Sequence, residues 1–112
     1  LNGGEIDGQR YLSKETCQLF TTETSKISRR GLGFDKPDAD DPKKGNCAPA
    51  APAEVYGHTG FTGTCAWVDP MNELVYVFLS NRIYPDVTNR KLNQLHIRER
   101  IQGAIYDAMK KK

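Results

Sequence analysis

The chain has 112 residues, of which 27% are charged and 38% hydrophobic, and its formal net charge is +2. That length holds one domain or part of one, with room for a modest core built without metal or disulfide staples. The near-neutral balance excludes wholesale disorder and a generally basic coat for nucleic acid. The longest apolar run, Leu74–Leu79, is far short of the roughly 20 residues a membrane-spanning helix needs, so no membrane span is expected.

In chain order, the opening Leu1–Gly8 is glycine-rich, carries no charged-then-apolar leader, and reads as a loop or frayed terminus of a piece of a longer polypeptide. A short helix is predicted over Lys14–Thr22. Ser13 is placed to cap it, Glu15 suits its first turn, and Cys17, Leu19 and Phe20 give a partial apolar face. Thr21–Ser28 is a polar connection. Arg29–Asp35 predicts a short strand with Leu32 and Phe34 on one face, its glycines permitting close backbone approach. Residues 35–53 change character, with four of the chain's six prolines and Asp35, Asp38, Asp40 and Asp41 set against Lys36, Lys43 and Lys44. This composition predicts a long surface loop, cut first by proteases at those lysines.

The strongest block is Val55–Leu79. Thr64, Ala66 and Val68 alternate with Cys65 and Trp67, which is a strand pattern with Trp67 in the core or on the sheet face. Asp69-Pro70-Met71-Asn72-Glu73 is turn chemistry. Leu74–Leu79 is continuously apolar and β-prone, which predicts a central strand covered on both faces. Together they predict an antiparallel hairpin near 55–81. A long helix follows from Asn89 to Met109, with Leu92, Leu95, Ile97, Ile101, Ala104, Ile105, Ala108 and Met109 as a buried stripe. Thr88 or Asn89 caps its start, and Lys110–Lys112 complement its C-terminal dipole.

From Asp86 onward seven Lys/Arg face three Asp/Glu, but no aromatic or glycine-rich RNA motif accompanies them. The excess reads as a solvated helix face, His96 included, and no nucleic-acid partner is expected. The elements predict an α+β class: an antiparallel sheet portion, a long C-terminal helix packed on it, and a short preceding helix. Cys17, Cys47 and Cys65 are odd in number and widely spaced, so at most one pair closes, and the spacing does not say which. With His58 and His96 they form no C-x-x-C or H-x-x-x-H pattern. No metal and no cofactor are expected.

The chemistry points to Tyr56-Gly57-His58-Thr59-Gly60-Phe61-Thr62-Gly63-Thr64. Three glycines at a strand entry let backbone approach another group closely, with an imidazole and a hydroxyl beside them. A plain structural glycine strand fits the same residues. This segment, the hairpin strand Leu74–Asn81, the C-terminal helix, and Arg30-Gly31-Leu32-Gly33-Phe34 before them resemble the C-terminal part of the serine β-lactamase and penicillin-binding-protein-like superfamily. The nearest likeness is to its class C β-lactamase and esterase-like branch. Domains of this style also stand behind family-3 glycosidase catalytic domains in some secreted bacterial hydrolases.

The resemblance implies a hydrolase that works by acyl transfer through a Ser acyl-enzyme and uses three motifs, S-x-x-K, Tyr-x-Asn or Ser-x-Asn, and K-T-G. Only the third is present, as His58-Thr59-Gly60. Ser13, Ser25, Ser28 and Ser80 are followed three residues on by Thr16, Ser28, Gly31 and Ile83, and no Tyr is followed two residues on by Asn. The nucleophile and its base are therefore expected upstream of Leu1, with residues 1–112 the C-terminal fragment of one domain. Alone, the chain is expected to be inactive. By resemblance, Phe61 N–H is one oxyanion donor, of a kind typically worth about 2.7–4 kcal/mol. Thr59 hydroxyl bonds a substrate carbonyl or carboxylate, and Gly60 keeps the strand slim beside the acyl group.

His58 stands where the family more often has lysine. An imidazole with a reference pKa of about 6.5 is mostly neutral at pH 7, which argues against β-lactam recognition and leaves ester or other acyl substrates open. The implied partners are the upstream part of the same domain and a small acyl, ester or peptidoglycan-like substrate. The implied location is secreted, periplasmic or cell-envelope. Separated from its upstream part, the fragment is expected to self-associate. The competing reading is a non-catalytic binding or scaffolding module that keeps the fold.

Overall fold

The computed structural model describes residues 1–22, 25–38, 40–41 and 45–111. Its opening is ordered where a frayed terminus was expected. Strands β1 (Glu5–Ile6) and β2 (Gln9–Arg10) pair across Asp7-Gly8, whose φ angles of 50° and 77° give the two-residue turn that matches strand twist. Helix α1 runs Lys14–Thr21, and Ser13 Oγ accepts the Thr16 N–H at 3.0 Å, as the cap pattern predicts. No residue of α1 is buried, however. Of its expected apolar face, Leu19 and Phe20 are exposed and Cys17 is half-buried.

The expected strand over Arg29–Asp35 does not form. Gly31 N–H donates to Phe34 O at 3.0 Å, closing a tight turn with Leu32 exposed on it, and only isolated bridges join Arg30 to Asp35 and Asp35 to Gly57. Two glycines leave this segment too few side chains to pack as a strand. Asp35 is instead a buried anchor, with Arg30 Nε 2.8 Å from its carboxylate.

Among the described residues of 36–53 there is no helix or strand, yet the segment is not uniformly exposed. Lys36 is buried, and its Nζ donates to Thr21 O at 3.1 Å and Glu54 O at 2.9 Å. Its side chain is therefore held inside, where the sequence predicts an exposed loop lysine, because two carbonyls accept from it. Lys43 and Lys44 lie outside the described residues. Cys47 and Ala48 are buried, and all three cysteines are free thiols.

Strands β3 (Tyr56–Thr59), β4 (Cys65–Asp69) and β5 (Leu74–Phe78) form an antiparallel meander in that order. The predicted hairpin is present with its predicted turn. Its central strand is β4, while β5, expected to be covered on both sides, lies at the edge with Val75 and Val77 exposed. Register explains the two faces. Gly57, Trp67 and Tyr76 share one row, and His58, Ala66 and Val77 the next. The Trp67 row faces the core of Cys47, Val55, Cys65, Trp67 and Tyr76. Gly57 has to be glycine here, because a Cβ would lie 2.6 Å from the Trp67 ring and strike the Ala66 carbonyl.

The expected single helix over 89–109 is two. Helix α2 (Lys91–Gln94) and helix α3 (Ile97–Met109) are separated at His96, whose φ of 49° is left-handed and ends the first ladder. Asn89 Oδ1 accepts the Lys91 N–H at 3.1 Å, whereas Thr88 hydrogen-bonds Asp86. The buried stripe of α3 is Arg98, Gln102 and Tyr106, with Ile105 half-buried, while Leu95 and Ile101 are exposed. Each buried polar side chain has a distant partner. Gln102 Oε1 accepts the Ala48 N–H at 2.8 Å, and Tyr106 Oη donates to Asp69 Oδ2 at 2.8 Å. Tyr76 Oη donates back to Arg98 O at 3.1 Å. Lys112 lies outside the described residues. No helix among them is long and apolar enough to cross a membrane. The molecule is α+β, as the sequence predicts.

Candidate functional site

The site is built where β3 ends. His58 and Thr59 are consecutive strand residues, so their side chains leave opposite faces of the sheet. His58 is exposed beside Ala66, on the face that carries Val77. Its Nδ1 lies 2.7 Å from Thr59 O. A carbonyl only accepts, so Nδ1 carries the proton in this contact. In the neutral ring that leaves Nε2 as a free acceptor. Thr59 is half-buried on the other face, opposite Cys65.

Beyond Thr59 the chain turns tightly. Gly60 N–H donates to Thr64 O at 2.8 Å and Gly63 N–H to Gly60 O at 3.0 Å. Gly63, buried with a φ of 95°, takes a conformation that L side chains rarely adopt, and a Cβ would also meet Ser80 Oγ at 2.6 Å. Phe61 is 71% exposed, and its N–H donates no hydrogen bond among the described residues. Arg82 places its guanidinium 5.0 Å from the Phe61 ring centroid, a cation–π contact.

Thr59, Gly60 and Phe61 line a pocket of about 530 Å³ together with Arg82, Asn93 and Arg98. His58 is not among its lining residues. The four residues singled out in the sequence are therefore contiguous but divided: Thr59, Gly60 and Phe61 on the pocket, His58 exposed on the other sheet face. Sequence reasoning missed Arg82, Asn93 and Arg98. No local signal marks them, because they reach the turn from 18 to 38 residues downstream. His96 and Glu99 also border the pocket. Among the described residues no group of three or more His, Cys, Asp or Glu could hold a metal.

The thiols beneath the site are quiet ones. Burial pushes Cys47 up to about 12, with nearby Glu99 adding to the effect, and burial also raises Cys65. A thiol held protonated is a poor nucleophile, so neither is equipped for covalent catalysis.

Known proteins resemble this chain in sequence. A family model described as Beta-lactamase matches residues 1–99. Among curated proteins, one from Escherichia coli O157:H7 is 33% identical over 93 residues, and one from Escherichia coli strain K12 is 32% identical over 93. Another from Salmonella typhi is also 32% identical over 93 residues. All three are named, provisionally, D-alanyl-D-alanine carboxypeptidase. Each alignment covers 83% of this chain but 21% of the relative, so the chain spans about a fifth of the length of the curated relatives it matches. No solved structure matches the chain. With a family match over nearly its whole length and relatives that share its motif region, this chain belongs to the beta-lactamase family of serine hydrolases related to penicillin-binding proteins.

Proposed function

We propose that residues 1–112 are the C-terminal segment of a serine hydrolase domain, supplying its third-motif strand and one oxyanion donor. The observation that carries this reading is the end of β3. His58-Thr59-Gly60 runs into a turn in which the Gly60 N–H is used internally and the next N–H, that of Phe61, is left without an acceptor among the described residues. A donor held rigidly with nothing to bond is what a developing oxyanion requires. Thr59 hydroxyl and the Arg82 guanidinium line the same pocket and suit a carbonyl or carboxylate beyond the reacting carbon.

In this reading the serine and its base stand elsewhere in a longer polypeptide. The serine hydroxyl adds to the substrate carbonyl and passes its proton to the base. The leaving group departs with that proton, and water then releases the acyl group. The relatives' name makes a peptide ending in D-alanyl-D-alanine the first substrate to try, with simple esters next and a cell-envelope or periplasmic setting. Gly45 and Asn46 border the same pocket.

The test compares this chain with a longer polypeptide that includes it. The 112-residue chain is expected to hydrolyse p-nitrophenyl esters and D-alanyl-D-alanine peptides no faster than buffer. The longer protein should turn over at least one, and Thr59→Ala should slow it about tenfold, the worth of one hydrogen bond. A longer protein that is inert, or that ignores Thr59→Ala, favours the scaffolding module instead. Turnover by the short chain alone, lost in Thr59→Ala, would overturn the fragment reading.

A further inference from the structure

The Gly60–Thr64 turn is tied down from outside itself. Thr62 O accepts from Arg82 N–H at 2.9 Å and from Ser80 Oγ at 3.2 Å. Gly63 O faces Arg98 Nη1 at 3.4 Å, and Arg98 Nη2 donates to Asn93 Oδ1 at 3.1 Å. The first two ties come from residues just past β5, next in the chain to the hairpin. The Arg98 tie is different, because it reaches the turn from another element 35 residues away.

Arg98 is only 6% exposed, and among the described residues no carboxylate forms an ion pair with it. A buried guanidinium without a counter-charge is costly to keep, so its position calls for a use beyond packing. The backbone around it is arranged to deliver it. His96, left-handed with φ 49° and ψ 44°, breaks what the sequence predicts as one helix. The break brings Asn93, at the end of α2, and Arg98, at the start of α3, onto one guanidinium. At 3.4 Å the contact with Gly63 O is a charge–dipole interaction more than a short hydrogen bond. It pulls on the carbonyl of the residue that sets the turn's positive φ, two residues from Phe61.

We infer that Arg98, seated by Asn93 across the α2–α3 break, is a positioning residue that fixes the motif turn and with it the direction of the Phe61 N–H. This rests on the proposed function for its catalytic consequence, but its structural half stands by itself. Arg98 borders the pocket, and its contact with the motif is to the Gly63 carbonyl of the turn.

Two measurements separate these parts. In the 112-residue chain, amide resonances and hydrogen exchange of Phe61, Thr62 and Gly63 are compared for wild type, Arg98→Met, Arg98→Lys and Asn93→Ala. Arg98→Met should speed exchange at Gly63 about tenfold or more and shift the Phe61 resonance, with the Gln102–Tyr106 amides unchanged. Arg98→Lys should restore part of the effect, and Asn93→Ala, which keeps the buried charge, should reproduce it more weakly. Unchanged turn signals in both Arg98→Met and Asn93→Ala overturn the inference. So does Arg98→Met unfolding the chain while Asn93→Ala leaves the turn untouched.

In the longer polypeptide, Arg98→Met should lower kcat about tenfold with KM nearly constant, because a misdirected oxyanion donor is missed only in the transition state. Arg98→Lys should recover part of that loss. A loosened turn in a longer protein that is inert as wild type keeps the clamp and defeats the hydrolase reading. An active protein whose turn loosens while kcat holds defeats the positioning role and spares that reading.

Discussion

Trp67 and Tyr76 are 1% and 6% exposed, whereas Val75 and Val77, neighbours of Tyr76 on the same strand, are 54% and 55% exposed. The two faces of the meander begin from one apolar run, Leu74–Leu79, and differ only in what crosses them. One face meets Val55, Cys47 and the inner side of α3. The other carries Ala66, Val75 and Val77, of which Val75 borders a pocket with Ile6, Tyr11 and Leu12 of the N-terminal hairpin, and it is the face His58 occupies. The comparison teaches that a run of β-prone apolar residues marks a strand built for contact on both sides, without saying which contact a given chain contains. It also places the candidate chemistry at a boundary. Thr59 looks toward the covered face, with its pocket, and the exposed His58 toward the other.

The largest way to break this contrast is to truncate one residue on each face. Trp67→Ala removes the largest fully buried side chain and should cost about 3–5 kcal/mol. That is much of the roughly 5–15 kcal/mol typical of a domain, so denaturant unfolding should lose or sharply shift its transition. Val77→Ala should stay within about 0.5 kcal/mol. Equal effects in the two variants would mean that the outer face is covered too.

Raising the pH titrates the covered face, together with Tyr56 on the other, whose hydroxyl burial also raises. Burial pushes the Cys47 thiol from about 9 to about 12 and the Tyr76 hydroxyl from about 10 to about 12, and burial followed by the bond to Asp69 raises Tyr106 as well. In the unfolded chain these groups release protons that the folded chain retains. Their stabilising effect is therefore whole below about pH 9 and is lost as the pH rises through about 12. Chemical denaturation between pH 8 and 12 should show stability falling across that window. Tyr76→Phe should flatten the slope, and Val77→Ala should leave it alone. A flat profile in wild type would show that these groups are hydrated in the fold.

Smaller effects sharpen the picture. Tyr106→Phe deletes one of the donors to Asp69, whose carboxylate still accepts from Met71 N–H, Asn72 N–H and Asn72 Nδ2 at 2.9, 3.1 and 2.8 Å. With the turn still held, the loss should be about 1–2 kcal/mol by thermal unfolding. A loss beyond that of Trp67→Ala would mean that Asp69 depends on Tyr106 rather than on its own turn. The smallest expected change in stability comes from Val75→Ser with Val77→Ser, within about 0.5 kcal/mol. Their effect should appear instead in sedimentation velocity, as weaker concentration-dependent association than wild type. Association unchanged by the pair would place the sticky surface elsewhere, for example on the exposed Ile101 side of α3.

Much of this molecule is written in short-range pattern. The alternation Cys65–Asp69, the Asp69–Glu73 turn, the strand Leu74–Phe78 and the Ser13 cap all arise from residues within a few positions of each other, and all appear where the sequence predicts them. The strand that carries His58 and Thr59 was equally legible as a segment, because His58-Thr59-Gly60 and the glycines around it are contiguous. Asp7-Gly8 was legible in principle as well, being a two-residue turn pair, but one strand residue pair on either side gives too weak an alternation to notice.

What only the tertiary structure decided has long-range partners. Helical spacing alone predicts Ile97, Ile101, Ala104, Ile105, Ala108 and Met109 as the inner stripe of α3, of which Ile105 packs on the core, yet Arg98, Gln102 and Tyr106 are buried because Gly63, Ala48 and Asp69 wait for them 35 to 54 residues away. A polar side chain belongs inside only when its partner is already there, and no window of local sequence contains that partner. The same reason governs the site. The motif residues are set by the strand they sit on, whereas the clamp on their turn, from Ser80, Arg82 and Arg98, exists only once β5 and the broken C-terminal helix have folded back across it.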